Sequence, residues 1–161
     1  ILTEAVREKS VRKYYRLLAF GRMEKSGVFE AWEKKDPASN QVQIAMSPQK
    51  GAQRIRTGIR PLLTGRLPGV GEVTYAEAEL FTGKSHQIRA SLAAMGHPLL
   101  GDAKYGGTAT GRPLCLCAYR LIFRHPATGE EVEFAIRPRG EDFRDFTSLP
   151  RLIPMKPDTR R

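Results

Sequence analysis

Four side chains able to hold or orient an anionic substrate fall within one short run. Lys84, His86, Gln87 and Arg89 supply an ammonium, an imidazole, an amide and a guanidinium group. The apolar residues that follow recur at helical spacing, so we expect a helix to begin inside this run. His86 and Arg89 are three positions apart and would share one face of that helix. A helix start beside Lys84 can hold a phosphate group through its exposed N–H groups.

Three separated parts of the chain contain motifs of specific residues at fixed places. The central part runs from Leu80 to Arg89 and continues in Gly96–Asp102. The others are the Lys13-Tyr14-Tyr15 strand and a set of closing segments, Leu116-Cys117-Ala118, Phe123–Pro126 and Thr128–Glu130. Together these parts resemble the RluA-type pseudouridine synthase family over about residues 1–146, and this resemblance is more specific than any one short motif. It implies an isomerase that converts uridines of structured RNA to pseudouridine.

The implied reaction detaches uracil from its ribose, turns it and rejoins it through carbon, so it needs no cofactor and no metal. It needs a carboxylate near the sugar, a cation that keeps this carboxylate ionised, and an aromatic ring against the base. By resemblance, Arg89 is the cation and Tyr15 the active-site tyrosine, with Leu116 packed nearby. Tyr14 would point to the opposite face of the strand. The residues implied to contact RNA are Lys13, Lys84, His86 and Gln87.

The family's catalytic aspartate lies in a His-Arg-Leu-Asp motif ahead of the Lys-x-Tyr strand, and these 161 residues contain no such motif. We expect the carboxylate to lie upstream, so that this chain is the C-terminal part of a catalytic domain and is inactive alone. Asp102, in a Gly-Asp-x-x-Tyr-Gly turn, is expected to bond the turn and not to serve as the nucleophile. Cys117 departs from the histidine usual at its position.

The elements that must position these residues are mainly strands. Period-two or β-rich patterns predict strands at 14–20, 42–45, 54–60, 72–81, 114–118, 121–124 and 132–136. Ser85 is the expected N-cap of a helix that runs to Met95. An amphipathic helix end is expected at 2–9 and a short helix around Phe143 and Phe146. The prediction is an α+β domain over residues 1–149, a mixed, largely antiparallel sheet with flanking helices forming part of a pseudouridine synthase core, followed by a basic, proline-containing tail at 150–161.

Three arginines alternate with apolar or small residues in the predicted strand at 54–60. Arg54, Arg56 and Arg60 would therefore lie on one open face. They could form a rail for RNA phosphates or an ordinary solvated strand face, and periodicity does not separate these two possibilities.

The composition agrees with a polyanionic partner. The net charge is +10, from 27 Lys and Arg against 17 Asp and Glu, and such a charge suits RNA. Cys115 and Cys117 are expected to share a strand face as reduced thiols, without a metal, in a cytoplasmic protein. No apolar run is long enough to span a bilayer.

Two function classes follow from the sequence. The first is an RNA pseudouridine synthase, a monomer acting on large-subunit ribosomal RNA or, second, transfer RNA. The alternative is a non-catalytic RNA-binding module on the same scaffold. The presence of both Tyr15 and Arg89 favours the enzyme.

Overall fold

The described part of the protein is mainly one antiparallel sheet with a short helix packed on it. The computed structural model describes residues 11–36, 41–106, 111–138, Phe143 and the backbone of 153–154. The helix is α1 (Gln87–Ala94), and the strands are β1 (Arg12–Phe20), β2 (Gly27–Asp36), β3 (Gln41–Ala45), β4 (Gln53–Leu67), β5 (Gly71–Leu80), β6 (Leu116–Arg124), β7 (Glu131–Ala135) and β8 (Ile153–Pro154).

The strand order is β3-β2-β4-β5-β1-β6-β7, and β8 pairs with β4. The recorded pairings are antiparallel. The α+β prediction is therefore confirmed only in part: the described sheet is antiparallel and not mixed, and the described residues contain one helix with both ends described. Phe143 is also helical, at the position where a short helix was predicted. The helix predicted at 2–9, Phe146 and most of the predicted tail lie outside the described residues.

The two faces of the sheet carry different cores. On the helix face, α1 packs Ile88 and Leu92 against strand residues Leu17, Ala19, Ile59, Ala76 and Ala78. On the far face, one end is covered by Leu100, Cys115 and Phe143, which pack on Leu18, Leu67 and Val73. The alternation of side chains along each strand assigns successive residues to these two faces.

Several element boundaries differ from the predicted ones. No strand was predicted at β2, because Ala31 is its one fully buried residue and the segment shows no strong alternation. Pairing with strands on both sides holds it in the sheet. β6 is continuous where two strands were predicted, because a bulge near Tyr119 absorbs the irregularity. Residues 153–154, predicted to fray, pair with β4.

Both cysteines are free thiols and belong to the far-face core, as the two-residue spacing predicts. Among the described residues, no helix has the length and apolar character needed to cross a membrane.

Candidate active site

Six residues singled out from the sequence surround one pocket on the helix face. Its volume is about 190 Å³, and Leu80 and Ile88 complete an apolar part of its wall. We call it the Tyr15–Arg89 pocket. None of the described residues that line it is an Asp or a Glu. The six are Tyr15, Lys84, His86, Gln87, Arg89 and Leu116.

Arg89 is held by a two-pronged ion pair with Asp102. Its Nε and Nη2 donate to the two carboxylate oxygens of Asp102 at 2.8 and 2.7 Å. The guanidinium carbon also lies 5.1 Å from the centre of the Tyr105 ring, a cation–π distance. Planar arginine suits this arrangement because its donors form a rigid fork. Nη1 takes no part in the pair with Asp102.

Asp102 is a turn residue with its hydrogen-bonding capacity filled. It is 1% exposed and also accepts from the backbone N–H groups of Lys104 and Tyr105 at 3.1 and 3.2 Å. Burial alone would raise the pKa of Asp102, but the bonds and charge of Arg89 and these N–H groups lower it. The expected turn-bonding role of Asp102 is confirmed.

Gly101 makes this turn possible. Its φ is +77°, and a Cβ there would lie 2.2 Å from the Pro113 carbonyl oxygen. A side chain at this position would therefore displace the segment that leads into β6.

Tyr15 and Leu116 reach the pocket from two adjacent strands. They flank its apolar side, and both pack against the helix-face core. Burial raises the pKa of the Tyr15 phenol, so it is neutral at ordinary pH. Cys117 belongs to the opposite core. Its departure from the usual histidine therefore leaves this pocket's wall unchanged.

His86 begins the helix in an unusual conformation. It is the N-cap in place of the predicted Ser85, with φ +59° and no side-chain cap bond. It is also the one non-glycine residue with positive φ among the described residues. Its Nδ1 lies 3.0 Å from the hydroxyl of Tyr105. Burial, followed by the charges of Arg89 and Lys104, lowers the pKa of His86.

Gln87 joins three segments through its buried amide. Nε2 donates to the Arg56 carbonyl and to Thr57 Oγ1, both at 2.9 Å. Oε1 accepts from Thr82 Oγ1 at 2.9 Å and from the Lys84 N–H at 3.2 Å. Gln87 is 1% exposed. Its burial and filled bonds favour a role in supporting the pocket over the predicted contact with RNA.

The two predicted RNA-contacting lysines lie beside the pocket. Lys84 lines both it and a neighbouring depression of about 490 Å³, at the end of the sheet, that Lys13 also lines. Lys13 Nζ lies 3.8 Å from the position that a Cβ on Gly83 would take. The side chains of Lys13 and Tyr15 are two residues apart on β1 and share a face.

The arginine rail, in contrast, is not on the pocket's face. Ile55, Thr57 and Ile59 are buried toward α1, so the alternating Arg54, Arg56 and Arg60 point to the far face. Of the three arginines, Arg54 also lines the depression at the sheet end.

All three arginines are paired with carboxylates. Arg54 and Arg56 bond Glu30 at 2.5 and 2.7 Å, and Arg60 bonds Glu77 at 2.8 Å. The predicted alternation is confirmed, but this pairing favours a salt-bridged strand face over an open phosphate rail.

A comparison with protein families identifies the family to which this chain belongs. The family model described as RNA pseudouridylate synthase matches residues 1–94, which is more than half of the 161 residues. The chain belongs to the RNA pseudouridylate synthase family. Its match includes both the Lys13-Tyr14-Tyr15 strand and the Leu80–Arg89 run.

Curated pseudouridylate synthases align with most of this chain. "Ribosomal large subunit pseudouridine synthase D" of Neisseria meningitidis Z2491 is 31% identical over 91% of this chain and 41% of its own length. "Dual-specificity RNA pseudouridine synthase RluA" of Pasteurella multocida is 30% identical over 85% of this chain and 62% of its own length. The chain thus spans about two fifths to three fifths of these relatives.

Solved structures share the fold. "Human RNA Pseudouridylate Synthase Domain Containing 1" superposes with a TM-score of 0.71 at 20% identity, over 92% of this chain and 70% of that one. "Human RNA Pseudouridylate Synthase Domain Containing 4" gives 0.64 at 21% identity, over 86% and 62%. At this identity the likeness describes the pseudouridylate synthase fold alone.

Tyr105 is the pocket-supporting residue that sequence reasoning passed over. It lies in the Gly-Asp-x-x-Tyr-Gly turn of the family resemblance, and that position was the available signal. The other two histidines have structural roles. His97 Nδ1 bonds the Phe20 carbonyl at 2.9 Å, and His125 Nδ1 accepts from two N–H groups of the following turn.

Proposed function

We propose that the protein to which this chain belongs isomerises uridine to pseudouridine in RNA. The observation that carries the proposal is the Tyr15–Arg89 pocket, in which an aromatic ring and a guanidinium group line one small space. Membership of the RNA pseudouridylate synthase family supports the same reaction.

Each pocket residue has a physical role in this proposal. The Tyr15 ring and the Leu80 and Leu116 side chains give the uracil ring an apolar surface. Arg89 keeps the attacking carboxylate ionised, because a cation within a few ångströms stabilises the charged form. The pair with Asp102 fixes the guanidinium plane and leaves Nη1 for that carboxylate.

The attacking carboxylate is proposed to come from outside the described residues. Asp102 is 1% exposed and accepts four hydrogen bonds, so it is poorly suited to attack a ribose. Because these 161 residues also contain no His-Arg-Leu-Asp motif, we expect them to be inactive alone. The lack of a carboxylate on the described pocket wall is also what favours the second candidate function, a non-catalytic RNA-binding module.

Large-subunit ribosomal RNA is the proposed substrate, with transfer RNA second. The support is the printed function of relatives such as the large-subunit synthase of Neisseria meningitidis. The target uridine must leave its stack, which costs a few kcal/mol and least in loops and mismatches. A monomeric enzyme without a cofactor belongs to the same proposal, and so does a cytoplasmic location, which the reduced thiols of Cys115 and Cys117 support.

The test is release of tritium from RNA labelled at C5 of uridine, with the protein as encoded in full and with the 161-residue chain. We expect release by the full protein and none by the chain. Release by the chain would contradict the proposed origin of the carboxylate. RNA binding without release by the full protein would favour the binding module.

Two substitutions in the full protein test the pocket. Arg89→Ala should abolish tritium release while leaving part of the RNA affinity. Tyr15→Phe should lower tritium release. Arg56→Ala and Tyr14→Phe are matched controls, because they alter the far face of the same sheet. A melting curve for each variant shows whether the fold is kept. Tritium release at the wild-type level by Arg89→Ala would show that Arg89 is not part of the active site.

A further inference from the structure

Tyr105 connects three parts of the pocket's support. Its hydroxyl lies 3.0 Å from the Val42 N–H of β3 and 3.0 Å from His86 Nδ1 at the start of α1. Its ring lies edge-on to the His86 ring at 5.7 Å and beneath the Arg89 guanidinium at 5.1 Å. Its own N–H donates to Asp102.

These contacts determine which nitrogen of His86 carries the proton. The Val42 N–H can only donate, so the Tyr105 oxygen accepts from it. The phenol's own proton then has His86 Nδ1 as its acceptor among the described residues. A proton on Nδ1 would leave the phenol with two donors and no acceptor. The neutral form of His86 therefore carries its proton on Nε2.

The surroundings of His86 favour this neutral form. The charged groups that act on it are Arg89 on its own helix, Lys104 and Asp102 on the adjoining turn, and Lys35 on β2. Three of these four are cations, and together with burial they lower the pKa of His86. A charged imidazolium on the pocket wall would also compete with Arg89 for a carboxylate.

The backbone conformation of His86 indicates that this residue is held in place by its surroundings. A non-glycine residue in the left-handed region costs of order 1–3 kcal/mol and persists where its surroundings hold it. Here the holding contacts are the Ala90 N–H to the His86 carbonyl at 2.9 Å and the Tyr105 hydroxyl on the ring.

We propose that Tyr105 is a positioning residue that keeps His86 as a neutral imidazole whose Nε2–H donates a hydrogen bond to an oxygen of the bound nucleotide. His86 lines the pocket, and its Nδ1 is occupied by Tyr105, so Nε2 is the nitrogen left for a ligand. This inference rests on the proposed function, which supplies the nucleotide.

The first test reads the proton position without activity. The full protein is labelled with ¹⁵N in its histidine rings, and His86→Asn, which suits the left-handed backbone, assigns the signals. We expect the His86 proton on Nε2 and a pKa below that of an exposed histidine. Tyr105→Phe keeps the ring and removes the hydroxyl, so the proton should distribute over both nitrogens and the pKa should rise. Tyr14→Phe is the control. A proton on Nδ1 in the wild type, or no change in Tyr105→Phe, would overturn the proposal.

The second test is a double-mutant cycle on tritium release. Loss of one hydrogen bond corresponds to about a threefold to tenfold fall in kcat/KM, expected for Tyr105→Phe. In the His86→Asn background, Tyr105→Phe should cause little further loss, because Tyr105 acts through His86. Independent, multiplying losses would overturn this role. If the wild type binds RNA but releases no tritium, the proposed function fails, and the NMR result alone decides the role of Tyr105.

Discussion

At the scale of single residues, the pocket depends on side chains that hold its walls in place through hydrogen bonds. Gln87 uses both donors and its oxygen to hold the 82–84 segment and β4 against α1. The carboxylate of Asp102 likewise accepts hydrogen bonds from Arg89 and from the backbone of its turn. Buried polar groups of this kind are stabilising only while every partner is present. The motif therefore combines groups that face the pocket with groups that hold it in place.

Replacing Gln87 by Glu should destabilise the protein by about 2–3 kcal/mol, because a carboxylate oxygen would replace Nε2 and face the Arg56 carbonyl oxygen, another acceptor, in a buried site. Urea unfolding at neutral pH measures this change in the free energy of unfolding. Gln53→Glu, an exposed change of the same type on β4, should have little effect. Equal losses for the two variants would mean that the Gln87 network adds nothing.

At the scale of elements, α1 is positioned by contacts at its start and not by its own stability. Eight residues are too few for a helix to be stable alone. Gln87 ties its first turn to β4, and Arg89 ties it to the Asp102 turn. Apolar packing of Ile88 and Leu92 then sets its distance from the sheet. The orientation of the pocket's cation is thus a property of the turn at 99–106 as much as of the helix.

Asp102→Asn should lower the free energy of unfolding at neutral pH by about 3–5 kcal/mol, since it breaks a largely buried ion pair. The native pKa of Asp102 is lowered. Its contribution is therefore complete above the unfolded pKa of about 3.9 and is lost as pH falls through the native pKa.

Urea unfolding of both proteins from pH 7 to pH 3 measures this difference. We expect it to be constant above about pH 5 and to shrink at lower pH. Other carboxylates titrate in both proteins, so the difference isolates Asp102. A gap that stays constant down to pH 3 would contradict the ionised pair.

At the scale of the whole molecule, the two faces of the sheet carry different positive side chains: lysines around the pocket on one face, and arginines paired with glutamates on the other. On the helix face, Lys13 and Lys84 lie around the pocket and the adjoining depression. On the far face, arginines alternate with glutamates, and Glu77 is bonded by Arg60 and Tyr119 and paired with Arg16. Burial would raise the pKa of Glu77, but these partners lower it, so it stays ionised. The net charge of +10 is therefore not spread evenly over the surface.

RNA affinity should follow this division. Lys13→Ala or Lys84→Ala should each reduce the slope of log affinity against log salt by about 0.7–0.9, the value for one phosphate contact. Arg56→Ala should change the slope little, because Arg56 is already paired with Glu30. Fluorescence anisotropy with a large-subunit ribosomal RNA fragment at several salt concentrations measures the slopes. An equal change in the slope for Arg56→Ala would show that the far face also contacts RNA.

Local patterns in the sequence determined most of the elements and the residues of the pocket. Alternation along β1, β4 and β5 and the spacing of Ile88 and Leu92 are dictated by which side chains must leave water, and this information is local. The two motifs that contain Tyr15 and Arg89 were recognised in the sequence by their family resemblance. In the structure, both residues line one pocket.

Only the tertiary structure decided what each polar residue faces. Periodicity placed Arg54, Arg56 and Arg60 on one face, but strand register and the docking of α1 decided that this is the face away from the pocket and that Glu30 and Glu77 lie opposite. The left-handed start of α1 at His86, the pairing of Arg89 with Asp102 and the position of Tyr105 depend on segments distant in sequence. Hydrogen-bond partners across a fold are set by three-dimensional geometry, which the spacing of residue types along a chain does not contain.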